Sequence, residues 1–292
     1  MIEHLVISGG GPAGLLTYGA AQQLAKAGFW RLQDIKSMYG CSIGAYMAVI
    51  FSLGYDWDWL DDYFIERPWE KVVSLNAMSF IEAFDQKGVM DVKCIEESLM
   101  PLLSAKGMSA ATTLAEYYEF NHIDLHMFTT NINGIQLEKI DMSHATHPSL
   151  ALVQALSMSM AYPLAFKPVC LDGACYIDGG LINNFPLNDC ITQTQCNKDD
   201  ILAFKNIWVR DETSITEESS LLEFCMATIT KMARAICTEN KQPEIKHTVR
   251  CLVEDLNGLP SWLHAVSTHD MRAKLVERGR QHGKLFLSYL PR

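Results

Sequence analysis

The sequence is poor in basic residues. It carries 24 Lys and Arg against 34 Asp and Glu among 292 residues, a formal net charge of −10. Sequence-independent binding to nucleic acid needs a basic footprint, which this composition does not supply. The same deficit leaves no overall attraction to anionic membranes, although a local patch is a separate matter. The composition therefore argues against a nucleic-acid partner.

Long apolar runs, a secretory signal and paired cysteine motifs are also missing. No apolar run approaches the ~18 residues that span a bilayer, and residues 1–4 lead directly into an apolar strand. The nine cysteines are scattered between Cys41 and Cys251 without any Cys-x-x-Cys pair. We therefore predict a cytoplasmic protein with free thiols, in which disulfides and zinc are unexpected and any membrane contact is peripheral.

What the chain does have suits one α/β domain. Its length and its 49% hydrophobic content are enough to bury a sheet between helices. No internal repeat or low-complexity linker divides it, so we predict a single domain over residues 1–292. The motifs lie within residues 4–190, and residues 191–292 are expected to complete the domain.

A glycine loop follows the first predicted strand. Residues 4–8 form an apolar run, residues 9–14 read Gly-Gly-Gly-Pro-Ala-Gly, and residues 15–27 are typical of a helix. A strand, a glycine loop and a helix in that order place backbone N–H groups around an anion. The loop also fits a flavin or dinucleotide fingerprint, which requires an acidic residue ending a second strand about 20 positions on. Asp34 lies near that distance, but the residues before it make a poor strand.

The second motif is a Gly-x-Ser-x-Gly pentapeptide centred on Ser42. This pattern is typical of a sharp turn from a strand into a helix, where larger residues at Gly40 and Gly44 would clash. The following helix places its free N–H groups where an oxyanion would develop. With a strand predicted over residues 35–39, the glycine loop and the serine turn become adjacent βα turns at the carboxyl edge of one parallel sheet.

The third motif is an aspartate turn. Residues 167–171 and 174–177 predict a hairpin around Asp172-Gly173, and the second strand runs into Asp178, Gly179 and Gly180. Two glycines after the aspartate allow another backbone to approach closely. On its own, an Asp-Gly pair more often forms a turn that bonds its own chain.

The last third of the chain is less distinctive. Residues 217–237 predict an amphipathic helix that we expect to pack on the sheet rather than on lipid. Its apolar stripe comprises Leu222, Cys225, Met226, Ile229, Met232, Ala233 and Ile236. Residues 269–290 predict a closing helix.

With the three motifs in this order, the sequence resembles the patatin-like phospholipase family over about residues 4–190. The resemblance implies an α/β three-layer sandwich, with a mainly parallel central sheet and helices on both faces. It implies that Ser42 is the nucleophile and Asp178 its general base, without histidine, metal or cofactor. The implied oxyanion loop is Gly9, Gly10 and Gly11. The implied supporting glycines are Gly14, Gly40, Gly44, Gly179 and Gly180. One departure is Ala13, where the family commonly has lysine or arginine.

The implied activity is hydrolysis of acyl esters in glycerophospholipids or neutral lipids. The expected partners are the lipid ester and, transiently, a membrane or lipid-droplet surface, with no obligate protein partner. Three alternatives stay open. The first is a Ser-His-Asp esterase using His264, His269 or His282, and the second is a flavin-binding protein. The third is an inactive lipid-binding module.

Overall fold

The structure, a computed structural model, describes residues 1–73, 77–91, 93–209, 215–254, 256 and 258–290. The strands are β1 His4–Ile7, β2 Ser37–Cys41, β3 Gly88–Met90, β4 Asp124–Asn131, β5 Glu138–Met142, β6 Leu164–Phe166, β7 Val169–Leu171, β8 Ala174–Asp178, β9 Ile201–Trp208 and β10 Thr248–Val253. The helices are α1 Gly14–Lys26, α2 Ile43–Ser52, α3 Trp57–Asp61, α4 Ala77–Gln86, α5 Lys93–Ala105, α6 Leu114–Asn121, α7 Leu152–Met160, α8 Gly180–Asn183, α9 Leu187–Thr194, α10 Leu221–Glu239, α11 Gly258–Ser267 and α12 His269–Tyr289.

The central sheet is mainly parallel. Strands β10, β9, β1, β2 and β4 pair in that order, each parallel to its neighbour. Strands β5 and β8 each pair antiparallel with β4, and β7 pairs antiparallel with β8 to form a hairpin. The glycine loop follows β1 and the serine turn follows β2, so both lie at the carboxyl edge of neighbouring parallel strands, as the sequence predicts.

Helices cover both faces of the sheet. Successive residues of a strand point to opposite faces, and in β1 Leu5 and Ile7 join the larger core, which includes residues of α1, α2, α5, α7 and α12. Val6 points the other way into a smaller core, where Leu187 and Cys190 of α9 pack. This is the three-layer α/β arrangement that the resemblance implies.

A smaller set of elements covers the carboxyl edge. Strands β3 and β6 pair in a separate parallel ribbon. Val89, Met90 and Ala165 of this ribbon form a hydrophobic cluster with Met226 of α10 and Leu259 of α11, and Ala83 of α4 packs against it. We call this assembly the cap.

Two sequence expectations are corrected. The structure contains a disulfide between Cys170 and Cys175, because these residues are directly opposed across the β7–β8 hairpin. The helix predicted from residue 217 begins at Leu221, and its apolar stripe is only partly packed. Met226 and Ala233 are buried, whereas Met232 and Ile236 are exposed.

Candidate active site

Ser42 sits at a strained turn between β2 and α2. Its backbone adopts φ 56° and ψ −129°, a conformation that L residues rarely adopt and that is typical of a nucleophile exposed on a sharp elbow. The flanking glycines allow this turn. A Cβ atom on Gly40 would lie 2.5 Å from the carbonyl oxygen of Gly44, and one on Gly44 would lie 2.3 Å from that of Ile7.

The register of β4 brings Asp178 to Ser42. Strand β2 pairs with β4 as far as Cys41 opposite Phe128, and β8 then takes over, with Asp178 opposite Thr129. Ser42 directly follows the last residue of β2, and Asp178 is the last residue of β8. The two strands therefore end next to each other along β4. The Ser42 hydroxyl donates a hydrogen bond to Asp178 Oδ2 at 2.5 Å. The two residues singled out in the sequence are therefore in direct contact.

Asp178 is a buried carboxyl with few partners. It is 2% exposed, and the Gly180 N–H donates to its Oδ1 at 2.7 Å. Burial penalises the charged form and raises the pKa of Asp178 to about 6, while the hydrogen bonds from Ser42 and Gly180 oppose the shift. The carboxylate therefore predominates at neutral pH, yet it is a stronger base than an ordinary aspartate.

Ser159 fixes the serine turn, a contact that the sequence reasoning missed. The N–H of Ser42 donates to Ser159 Oγ at 3.0 Å, and the Ser159 hydroxyl donates to the Phe128 carbonyl at 2.7 Å. Ser159 is fully buried on α7. This chain of hydrogen bonds ties the backbone of Ser42 to the end of β4.

The glycine loop lies beside Ser42. The Gly9 N–H donates to the Asn184 carbonyl at 3.0 Å, and Asn206 Nδ2 donates to the Gly9 carbonyl at 3.1 Å. Within the described part of the chain, the N–H groups of Gly10 and Gly11 donate no hydrogen bond. Free amide donors beside a serine hydroxyl are the groups that stabilise an oxyanion. Neither asparagine was singled out in the sequence.

A cavity of about 1090 Å³ opens above these groups. Ser42, Asp178, Gly10 and Gly11 line it at the sheet edge. Its other walls are mostly apolar and include Phe64, Trp69, Met90, Phe166, Trp208 and Trp262. Its size and apolar walls suit a ligand with long hydrocarbon segments.

The candidate histidines lie elsewhere. None of the described residues that line the cavity is a histidine. His264 contacts Thr268, His269 contacts Glu66 and Asp270 at the surface, and His282 lies on α12. A triad of the Ser-His-Asp kind is therefore not assembled among the described residues.

The features required for a dinucleotide or metal site are not brought together. Asp34 lies in a 3₁₀ turn, Leu32–Asp34, and pairs with Arg31 rather than ending a strand. Over the residues that the structure describes, no group of three or more His, Cys, Asp or Glu side chains is placed to hold a metal ion.

Comparison with known proteins identifies the family. The model of the patatin-like phospholipase family matches residues 5–191. The chain belongs to this family. The match spans the glycine loop, the serine turn and the aspartate turn, and it ends close to the limit of residue 190 predicted from the motifs.

Two viral proteins are similar to this chain. A probable lipid hydrolase, 463L of Invertebrate iridescent virus 6, is 25% identical over 189 residues, which are 65% of this chain and 63% of that protein. An uncharacterized protein, R571 of Acanthamoeba polyphaga mimivirus, is 25% identical over 186 residues, 64% and 60% of the two chains. The chain thus covers less than two thirds of these relatives.

A solved structure shares the fold. VipD from Legionella pneumophila superposes with a TM-score of 0.55, at 16% identity, over 98% of this chain and 67% of that one. At this identity the likeness shows the α/β fold alone. Among the described helices of this chain, none has the length and apolar character to cross a membrane.

Proposed function

We propose that this chain is a lipid acyl hydrolase that cleaves carboxylic esters through a dyad of Ser42 and Asp178. One observation carries the proposal. The Ser42 hydroxyl donates to the buried carboxyl of Asp178 at 2.5 Å, at the base of a large apolar cavity. A nucleophile in hydrogen-bond contact with a base is the signature of covalent catalysis.

In the first half-reaction, Ser42 Oγ attacks the ester carbonyl carbon while its proton passes to Asp178 Oδ2. The negative charge on the former carbonyl oxygen is stabilised by the N–H groups of Gly10 and Gly11, each worth about 3 kcal/mol in well-studied hydrolases. The C–O bond to the alcohol then breaks, and the alcohol leaves with the proton from Asp178. The product of this step is acyl-Ser42.

In the second half-reaction, water attacks the acyl carbon of acyl-Ser42. Asp178 accepts the proton of that water, the bond to Ser42 Oγ breaks, and the proton returns to Ser42. The fatty acid leaves and the dyad is restored. The raised pKa of Asp178 helps both transfers, because a base works best when its pKa approaches the working pH.

The family and the cavity support the proposed class of substrate. Membership of the patatin-like phospholipase family and similarity to a probable lipid hydrolase support a glycerophospholipid, a lysophospholipid or an acylglycerol. The apolar walls supply room for the acyl chain. The proposed reaction uses no metal or cofactor, and the proposed setting is a cytoplasmic protein that contacts membranes peripherally.

Labelling with a fluorophosphonate probe tests the dyad. We expect the purified chain to form one adduct, which peptide mapping places on Ser42. The adduct should be lost in Ser42→Ala and strongly reduced in Asp178→Asn. Ser157→Ala is the matched control, because Ser157 is another buried serine and its hydroxyl donates to the Val153 carbonyl within its own helix.

Two results would refute the assignment. One is an adduct that persists in both Ser42→Ala and Asp178→Asn, which would place the nucleophile elsewhere. The other is a folded native chain that binds lipid but forms no adduct and releases no fatty acid, which would make it an inactive lipid-binding module.

A further inference from the structure

Exposed apolar side chains lie on elements that line the cavity, and three of them, Phe84, Ile215 and Leu221, line it directly. Six of them, between 39% and 81% exposed, lie on α4, on α10 and in the segment before α10. We call these residues the rim: Ile81, Phe84, Ile215, Leu221, Phe224 and Met232. Scattered apolar residues are normal on a protein surface, but a group of this kind marks an interaction site.

The rim is not needed to hold the cap together. Helix α4 contacts the β3–β6 ribbon through Ala83, and α10 contacts it through Leu222 and Met226. These inner faces already provide the packing. On α10, Leu221, Phe224 and Met232 follow the spacing i, i+3, i+11, which places them on the opposite, outer face. Helix α10 thus has two apolar faces, of which only one is covered.

The rim is continuous with the cavity of the candidate active site. Phe84, Ile215 and Leu221 line the same cavity as Ser42 and Asp178 while remaining exposed. An acyl chain that enters between α4 and α10 therefore meets exposed apolar side chains that also line the cavity, beside the polar residues Ser220 and Glu223 of the same wall. Such continuity suits a substrate that is delivered from a lipid phase.

We propose that the rim docks on an uncharged or zwitterionic lipid surface and opens the cavity toward it. The inference deepens the proposed function, on which it rests for the lipid substrate. Apolar side chains bind such a surface by burying area, at a depth set by the helix faces that carry them.

The charged residues around the rim indicate which class of lipid surface it binds. Residues 81–87 and 215–232 contain five acidic residues, Glu82, Asp85, Glu217, Glu218 and Glu223, against two basic ones, Lys87 and Lys231. All seven are exposed. Anionic lipids attract basic segments, so this local excess of negative charge opposes binding to them. It has the same sign as the overall charge of −10, of which it is a part.

Vesicle co-sedimentation of the full chain tests the proposal. All proteins carry Ser42→Ala so that the vesicles are not consumed, and binding is then independent of hydrolysis. We expect binding to phosphatidylcholine vesicles, and weaker binding when a third of the lipid is phosphatidylserine at low salt. Ile81→Ser with Phe224→Ser should weaken binding to phosphatidylcholine by about a hundredfold, roughly tenfold for each side chain removed.

Phe120→Ser provides the matched control. Phe120 is an exposed aromatic residue on α6, outside the rim, so its replacement should leave binding unchanged. Circular dichroism and a thermal melt establish that each variant is folded.

Each contrary result overturns the proposal. These results are no binding to phosphatidylcholine, equal binding by the double variant, an equal loss in Phe120→Ser, or binding that requires phosphatidylserine. A double variant that changes oligomeric state but not vesicle binding would assign the rim to a contact between copies of this chain. Failure of the proposed function is distinguishable, because it appears as missing probe labelling on Ser42 and leaves these binding results intact.

Discussion

Asp178→Asn should raise the free energy of unfolding at neutral pH and lower the rate of ester hydrolysis. The substitution keeps the shape of the side chain and removes its charge. The pKa of Asp178 is about 6 in the folded chain, against 3.8 for an ordinary aspartate. A tenfold difference in proton affinity corresponds to about 1.4 kcal/mol, so holding this carboxylate ionised costs the folded state about 3 kcal/mol at neutral pH. The residue is 2% exposed, so solvent screens little of this cost.

The size of the effect depends on pH. Below about pH 4 the carboxyl is protonated in the folded and unfolded chains, and its burial costs nothing through ionisation. Between pH 4 and 6 the unfolded chain ionises first, so the native protein loses stability as pH rises. Above about pH 6 the loss is complete. Asp178→Asn is neutral throughout, so its gain in the free energy of unfolding should grow from near zero at pH 4 to at most about 3 kcal/mol at pH 7.

Urea unfolding at pH 4 and pH 7 measures this gain in the free energy of unfolding. Ester hydrolysis measures the effect of losing the base, which we expect to lower the rate by about 10²–10⁴-fold. Asp58→Asn is the control, because Lys26 holds the pKa of that exposed carboxyl below its usual value and its removal should bring no gain at pH 7. Two results would contradict this prediction: the same gain in stability at both pH values, or a variant that is less stable than the native chain only at pH 7. Either would show that ionisation of Asp178 does not destabilise the folded chain.

Three further predictions concern the site and its supports. The kcat/KM for a soluble ester should rise about tenfold from pH 5 to pH 7 as Asp178 ionises, and the same profile in His269→Gln would exclude that histidine as the base. Ser159→Ala should lower kcat about tenfold or more with little change in KM, because it removes the acceptor of the Ser42 N–H; an unchanged kcat would contradict this. Cys170→Ser should lower the free energy of unfolding by about 2 kcal/mol in the absence of reductant, and a difference that persists with reductant would point to another cause.

The fold class could be predicted because its signals are local and the family resemblance joins them. The glycine loop and the serine turn each follow a short apolar strand, and such βα turns place their residues at one edge of a parallel sheet. The contact between Ser42 and Asp178 could be predicted only through the resemblance. It depends on β8 succeeding β2 along the same side of β4, a pairing between distant segments that no local pattern specifies.

The supports of the site were harder to find. Ser159 and Asn184 act through a hydroxyl and a backbone carbonyl, and serine and asparagine in these positions look like ordinary helix and turn residues. The disulfide, by contrast, had a usable signal. A two-residue turn at Asp172-Gly173 places Cys170 opposite Cys175, so the hairpin prediction already contained the pairing that the cysteine spacing argument dismissed.

Helix α10 shows why an apolar stripe does not identify its partner. A stripe with a period of 3.6 residues indicates that one side of a helix avoids water, and both a protein core and a lipid surface satisfy that requirement. In α10, Met226 is buried in the cap, whereas Phe224 and Met232 are exposed on the outer face of the helix. The sequence presents them as parts of one broad apolar helix. Only the position of the β3–β6 ribbon divides them into a packed face and an open one, and Leu221 of the open face also lines the cavity that contains Ser42.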